Sequence, residues 1–466
     1  MKEQVFSMYQ INFKTPIHVH FIGIGGISMS GLAEILLSKD FTVSGSDNQH
    51  SALTDHLEKL GAVISYGQRA ANITDGIDLV VYTAAIREDN PEYREAVKRE
   101  LPMLSRAELL GQLMRNYQTP IAISGTHGKT TTTSMVSEIL LHANADPTLS
   151  IGGILKTIGG NLRIGQSGYF VTEACEYTNS YLHFFPKISI ILNIEADHLD
   201  FFKDLEDIRC SFRRFASLLP EDGTLIINGD IDRLPEITEG LSCRIITFGK
   251  TSDSDYYPTD ITFHDNGCAT YQLHRPGHTA EEIKLSVVGI HNVYNSLAAI
   301  ALADLLGFDS GTTRQGLSAF TGTDRRFELK GRLGGITIID DYAHHPTEIS
   351  ATLTAAGNYP HKRLVCIFQP HTYTRTKAFL DDFAKALSLA DLVILTDIYA
   401  AREKNTIGIS SGDLKNKLDA LGKECYYFPL FDDIENFILE NCSDGDLLIT
   451  MGAGDVVKIG ESLLGK

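Results

Sequence analysis

The sequence predicts an α/β protein of three domains, and three observations carry that expectation. The chain has 466 residues, more than one hydrophobic core normally supports. Short apolar runs alternate with stretches of helical periodicity, the pattern of parallel sheets covered by helices. Several of those runs break into glycine-rich or polar turns, which is where open α/β sheets gather their ligands. Composition sets the outer bounds: 43% hydrophobic and 21% charged residues are ordinary for a soluble globular protein. A net charge of -18 argues against a nucleic-acid partner, while leaving room for local basic pockets. The seven cysteines (Cys175, Cys210, Cys243, Cys268, Cys366, Cys425, Cys442) are widely spaced and never form a CxxC pair. They fit neither a disulfide scaffold nor a zinc ribbon, and a reducing cytoplasm is the expected location. Met1 to Pro16 lacks an apolar leader core, and no run approaches the roughly 18 to 20 apolar residues of a membrane span.

In the first block, 1–118, Ile17 to Ile22 reads as a strand, followed by the loop Gly23-Ile-Gly25-Gly26-Ile-Ser28 and a helix through Leu32 to Leu37. Further strands are expected at Phe41 to Ser46, ending at Asp47, at Ala62 to Ser65 and at Leu79 to Thr83, together a parallel, doubly wound sheet. The glycine loop suits a pyrophosphate, of either a dinucleotide or a UDP-linked compound. Asp47 follows Ser28 by 19 residues, but serine in place of a third glycine weakens the dinucleotide version.

The second block, 119–323, opens with Pro120-Ile-Ala-Ile-Ser-Gly125-Thr-His-Gly128-Lys129-Thr130, an apolar strand breaking into a turn that starts a helix. Backbone N–H groups at a helix N-terminus point at an anion, Lys129 can reach terminal phosphates and the Thr130 hydroxyl can ligate Mg²⁺. Ile123 stands where the general GxxxxGK[ST] pattern has its first glycine, so the loop is tighter than usual. Met135, Val136, Ile139, Leu140 and Ala143 give the helix one apolar face. Strands follow at Tyr169 to Thr172, Ile188 to Ile194 and Thr224 to Asn228. Arg244 to Val288 is richer in short strands, and a helix follows Gly289-Ile-His291-Asn292-Val-Tyr-Asn295. Glu173 and Glu176 end one strand, and Asp197-His198-Leu-Asp200 ends the next. Carboxylates beside the Thr130 hydroxyl suit Mg²⁺, and an imidazole can complete a second ion's shell.

The third block, 324–466, repeats one theme at Ile336 to Ile339, Leu364 to Phe368, Leu392 to Leu395 and Leu447 to Thr450. Each is a short buried-type strand followed by polar or glycine-rich residues, so Asp340, Asp341, His344, His345, His371 and Arg375 are expected on one face. Arg325, Arg326, Arg375 and Lys377 are candidate anion clamps. His56, His142 and His278 lack such company and read as surface or structural histidines.

Taken in order, FIGIGGISMSGLA at 21–33, SGTHGKTTT at 124–132, TEACEYTNSYL at 172–182, NIEADHLD at 193–200, GIHNVYN at 289–295, DRRFE at 324–328, DDYAHHP at 340–346 and QPHTYTRT at 369–376 resemble the Mur ligases over nearly the whole chain. The resemblance implies a Rossmann-like N-terminal domain for a UDP moiety, a P-loop-type central ATPase and a Rossmann-like C-terminal domain. It further implies ATP-dependent ligation of L-alanine to the lactyl carboxylate of UDP-N-acetylmuramate through an acyl phosphate, in cytoplasmic peptidoglycan precursor synthesis by a monomer or homodimer. By the same resemblance Gly125, Thr126, His127, Gly128, Lys129, Thr130 and Thr131 would hold the ATP phosphates. Asn292 and Asn295 would contact adenine, with Arg326 and Asp341 completing the nucleotide site. Thr130, Glu173 and His198 would hold Mg²⁺, with His291 a further candidate near the site and counted among the ATP-binding residues. His344 and Arg375, with His371, would orient alanine, and His344 or His198 would take the amine's proton. Gly23, Gly25, Gly26, Ser46 and Asp47 would bind the uridine diphosphate end. Two segments depart from the commonest version: EACEYTNSYL stands where many members have EADESD, and Thr372 stands where many have arginine. A ligase for a preformed peptide is the alternative within this chemistry; a nicotinamide-dependent dehydrogenase would leave the Gly-Lys-Thr loop unexplained.

Overall fold

The computed structural model describes residues 9–83, 85–401 and 403–466. Residues 1–8, part of the segment read as lacking a leader, lie outside the described residues. The first sheet holds β1 (His18–Ile22), β2 (Thr42–Asp47), β3 (Val63–Tyr66), β4 (Leu79–Tyr82) and β5 (Met103–Ser105). All are parallel, in the order β3-β2-β1-β4-β5. The order reverses at β1, so the loops after β1 and β4 part and leave a crevice at the strand ends. Val19, Phe21 and Ile22 of β1 are fully buried, as expected for a strand covered on both faces.

The second sheet runs β12-β11-β10-β6-β9-β7-β8. Its strands are β6 (Thr119–Ser124), β7 (Thr148–Leu155), β8 (Gly160–Arg163), β9 (Tyr169–Glu173), β10 (Ile188–Ile191), β11 (Thr224–Asn228) and β12 (Arg244–Phe248). β6, which feeds the Gly-Lys-Thr loop, is flanked by β9 and β10, with Ile123 opposite Glu173 and Ser124 opposite Ile191. β10 stops three residues before the expected Ile194. The reason is local: the Asn193 amide side chain accepts from His127 N–H at 2.8 Å and donates to His127 O at 3.1 Å. An antiparallel sheet of β13 (Tyr257–Phe263), β14 (Cys268–His274) and β15 (Glu281–Val288) follows, where short strands were expected.

The third sheet runs β16-β17-β21-β18-β19-β20. It comprises β16 (Glu328–Leu333), β17 (Ile336–Asp341), β18 (Arg363–Phe368), β19 (Leu392–Leu395), β20 (Cys425–Tyr427) and β21 (Asp446–Met451), with β16 antiparallel and the others parallel. Pairing sets Asp341 and Phe368 level with Met451, so three of the polar strand endings share one edge.

Core packing also positions the site. The helix Lys129–His142 buries Met135, Val136, Ile139 and Leu140 against Val293, Leu297, Ile300 and Leu302 of the helix Ile290–Leu305. Each such side chain contributes about 1.5–3 kcal/mol. This packing brings Asn295 to the phosphate loop, where a Cβ on Gly128 would lie 2.8 Å from its Oδ1. Gly128 also has φ +84°, so glycine is required on two counts. Among the described residues no helix is long and apolar enough to cross a membrane.

Candidate active site

In the first unit the glycine loop is held from below. Gly23 N and Ile24 N both donate to Ser46 O at 2.9 Å, and Gly25 N donates to Asp47 Oδ2 at 2.9 Å. A Cβ on Gly25 would lie 2.8 Å from that carboxylate oxygen, so no larger residue fits without moving Asp47. Gly23, Asp47, Asn48, Gln68, Thr83 and Arg87 line a cleft of about 500 Å³ at the point where the strand order reverses. Ser46 behaves differently from its expected direct contact. It is fully buried, and its hydroxyl donates to Glu92 Oε2 at 2.6 Å. Glu92 is a buried hub that also accepts from Arg69 N at 3.2 Å and from Asn72, and meets His20 Nε2 at 3.4 Å. Burial pushes its carboxyl up, but these partners outweigh burial and hold it below the usual range.

In the second unit Lys129 is folded into its own loop. Its ammonium donates to Gly125 O, to Thr126 O at 3.1 Å and to Glu176 Oε2 at 3.1 Å. Burial opposes its charge, yet Glu176 outweighs burial and keeps it protonated. Glu173 Oε2 accepts from the Thr130 hydroxyl at 3.1 Å, and its Oε1 accepts from Gly152 N at 2.6 Å. Burial raises the Glu173 carboxyl. A half-buried carboxylate beside a hydroxyl in a phosphate cradle is a hard-oxygen donor set, and it fits Mg²⁺. His198 Nε2 stands 3.7 Å from both Glu176 Oε1 and Asp197 Oδ2, with its ring 4.6 Å from that of Tyr177. Burial lowers its pKa, leaving a neutral imidazole with a lone pair for a metal.

The third unit closes over this loop. Arg375 donates through Nε at 3.1 Å and Nη2 at 2.9 Å to Asp197 Oδ1, and its Nη1 lies 3.1 Å from His371 Nδ1. Burial opposes ionisation of Asp197, but Arg375 and neighbouring histidines hold its carboxyl well below the usual range. His127 Nδ1 lies 3.1 Å from Glu348 Oε1, and its Nε2 lies 3.4 Å from Glu195 Oε2. Burial pulls His127 down, but the two carboxylates win and raise it to about 9. His344 Nδ1 lies 3.0 Å from Tyr342 O, so it donates and leaves Nε2 as an acceptor; burial lowers its pKa to about 3. Asp341 is a turn anchor, accepting from Phe327 N and Ala343 N at 2.8 Å each, with burial raising it to about 6. Arg325 is likewise engaged, with Asp340 at 3.0 Å and Gly452 O at 2.7 Å.

Two cavities meet at the phosphate loop. One of about 390 Å³ is lined by Gly128, Thr131, His291, Asn292, Asn295 and Arg326, together with Asp341. The other, about 490 Å³, takes Ile27 from the first unit, Thr126 to Thr130, Glu173 and His198 from the second, and Arg326, Tyr342 and His344 from the third. The sequence-predicted residues are thus largely brought together, with three differences. His291 lines the first cavity beside Asn292 and Asn295, in keeping with its place among the ATP-binding residues, but stands apart from Thr130, Glu173 and His198 as a metal candidate; burial lowers it to about 4. Arg375 and His371 line neither cavity; Arg375 stands behind Asp197, which does. Ser46 supports its loop from inside the core. Sequence reasoning missed Glu348, Glu195 and Tyr342. Glu348 had a signal, since it falls in the first turn of the helix Pro346–Gly357, just after the paired histidines.

Comparisons with known proteins agree with this architecture. Residues 18–118 match the Mur ligase family, catalytic domain; 123–303 match the Mur ligase middle domain; and 325–454 match the Mur ligase, glutamate ligase domain. UDP-N-acetylmuramate--L-alanine ligase of Agathobacter rectalis is 62% identical, over 98% of this chain and 100% of the relative. The crystal structure of UDP-N-acetylmuramate-alanine ligase MurC from Thermotoga maritima superimposes with a TM-score of 0.80 at 32% identity, covering 96% of this chain and 98% of that one. A murein peptide ligase mpl from Psychrobacter arcticus reaches a TM-score of 0.72 at 28% identity, with 96% and 98% covered. With all three units matched in order and a full-length relative at this identity, the chain belongs to the Mur ligase family.

Proposed function

We propose that the protein uses ATP to join L-alanine to UDP-N-acetylmuramate, as a cytoplasmic step of peptidoglycan precursor synthesis, with units 1–118, 119–323 and 324–466 holding the UDP end, the ATP and the amino acid. The carrying observation is the cavity shared by all three units, which places Lys129, Glu173, His198 and His344 around one space. A carboxylate does not acylate an amine at neutral pH, because its oxygen is a poor leaving group. Phosphorylation by ATP removes that obstacle. The lactyl carboxylate attacks the γ-phosphoryl group in line, while Lys129 leaves Glu176 to neutralise the charge spreading over the transferred oxygens. Thr130, Glu173 and His198 are the residues that would hold Mg²⁺, which supplies charge neutralisation on the phosphates. Asn292 and Asn295 bind the adenine end in the smaller cavity, with His291 and Arg326 beside them.

The alanine amine then attacks the acyl carbon, and phosphate leaves from a tetrahedral intermediate. His344, neutral because burial lowers its pKa to about 3, accepts a hydrogen bond from the amine through Nε2 and orients it, and the proton lost as the amide forms passes to the departing phosphate. Arg375 holds Asp197 at the cavity wall, so a substrate carboxylate would share or displace that partner. Asp47 and the Gly23 to Gly26 loop receive the uridine diphosphate. The similarity to a murein peptide ligase makes a preformed peptide the second candidate acceptor. Phosphate release is measured with ATP, UDP-N-acetylmuramate and either L-alanine or the tripeptide. Stimulation by L-alanine is expected; stimulation by the tripeptide alone would reassign the acceptor, and stimulation by neither would overturn the reading.

A further inference from the structure

Outside the magnesium set, His127, Glu195 and His345 converge at the seam between the second and third units. One potential ligand atom from each lies within 4.8 Å of the other two. We propose that these three side chains form a transition-metal site of the Zn²⁺ class that clamps the phosphate loop to the helix Pro346–Gly357.

Two imidazoles and one carboxylate are a donor set for Zn²⁺ rather than for Mg²⁺, which prefers oxygen alone. Metal-binding histidines usually give their other ring nitrogen to a carboxylate or a carbonyl, which fixes the ring and the tautomer. Both histidines here are held that way. His127 Nδ1 faces Glu348 Oε1 at 3.1 Å. His345 Nε2 donates to Ala196 O at 3.0 Å, leaving Nδ1 as its acceptor atom, with Thr347 N as far as 3.4 Å away. The carboxylate is fixed too, since Glu195 Oε2 accepts from the Thr347 hydroxyl at 2.6 Å.

The independent observation is the state of His127 Nε2. It is buried and has no hydrogen-bond partner, with Glu195 Oε2 3.4 Å away. A buried polar atom left so is uncommon and calls for a partner. In the metal-free protein this nitrogen faces Glu195 alone, while Nδ1 faces Glu348; a bound ion would take the place of a proton on Nε2. His127 directly precedes Gly128 and Lys129, whereas His345 caps the helix of the third unit. An ion here would therefore hold the two units together.

Titration of the substrate-free protein with Co²⁺, a visible probe for Zn²⁺ sites, tests this without any activity readout. One tightly bound ion with the absorption of a tetrahedral site is expected. His345→Gln and Glu195→Gln should each abolish it, Glu348→Gln should weaken it by about 10- to 100-fold, and His198→Ala should leave it in place. Circular dichroism establishes that each variant is folded, and the two independent deletions guard against misfolding of one. No tetrahedral absorption, retention of it in both His345→Gln and Glu195→Gln, or its loss in His198→Ala would overturn the proposal. The first result would leave His127 as an ordinary imidazolium between carboxylates. Because no nucleotide or UDP-sugar is present, this failure is separate from any failure of the ligase reading.

Discussion

The cleft of the first unit and the cavity between the three units are built on different physical principles. The cleft is made within one sheet: Gly23 and Asp47 line it, and the backbone of Gly23 to Gly25 is tied to Ser46 O and to the Asp47 carboxylate. The shared cavity is walled by ionised side chains from separate units, including Lys129, Asp197 and Glu348. A cleft made within one sheet exists before any partner arrives. A cavity walled from three units exists only when those units are closed, so it couples chemistry to domain position.

Breaking the Arg375–Asp197 contact should have the largest structural effect. Both side chains are more than nine-tenths buried, so Arg375→Ala leaves an unpaired buried carboxylate worth about 3–5 kcal/mol. Reduced thermal stability and a more open small-angle scattering profile are expected, with partial recovery in the Asp197→Asn, Arg375→Ala double variant. Unchanged scattering and stability would show that the pair does not hold the units together. Lys129→Ala should lower kcat by about 10²–10³-fold in the phosphate-release assay, as expected for loss of a preorganised charge. Unaltered turnover would remove the lysine from the transition state.

Raising the pH should loosen the same seam. His127 has a folded pKa of about 9 against an ordinary 6.5, so its contribution is complete below 6.5 and is lost as pH rises through 9. Limited proteolysis between the second and third units should accelerate over that window, and a His127→Gln variant should show a flatter profile. The smallest effect belongs to the cleft. Asp47→Ala should raise KM for the UDP-sugar about tenfold with little change in kcat. A fall in kcat equal to that in kcat/KM would mean that the cleft too acts in the transition state.

What the sequence made legible follows the same division. Gly25, Gly128, Lys129 and Thr130 are readable because their roles are local, a turn and a helix N-terminus within a few residues of a strand. The strands β1, β6, β17, β18, β19 and β21 are readable because buried parallel strands are short continuous apolar runs. β7, β8 and β16 were not, since their half-buried residues lack such a run. The Arg375–Asp197 pair joins residues 178 apart, and no local pattern announces it. Ser46 was placed correctly at a strand end, but whether its side chain faced the cleft or the core depended on Glu92, 46 residues away.

The ligase reading is tested most directly by following an oxygen atom. UDP-N-acetylmuramate labelled with heavy oxygen in the lactyl carboxylate is turned over with ATP and L-alanine, and the released phosphate is analysed by mass spectrometry. Transfer of one labelled oxygen per phosphate is predicted, because the carboxylate oxygen that attacks the γ-phosphoryl group leaves with it. Unlabelled phosphate accompanying formation of the alanyl product would contradict the acyl-phosphate route through this cavity.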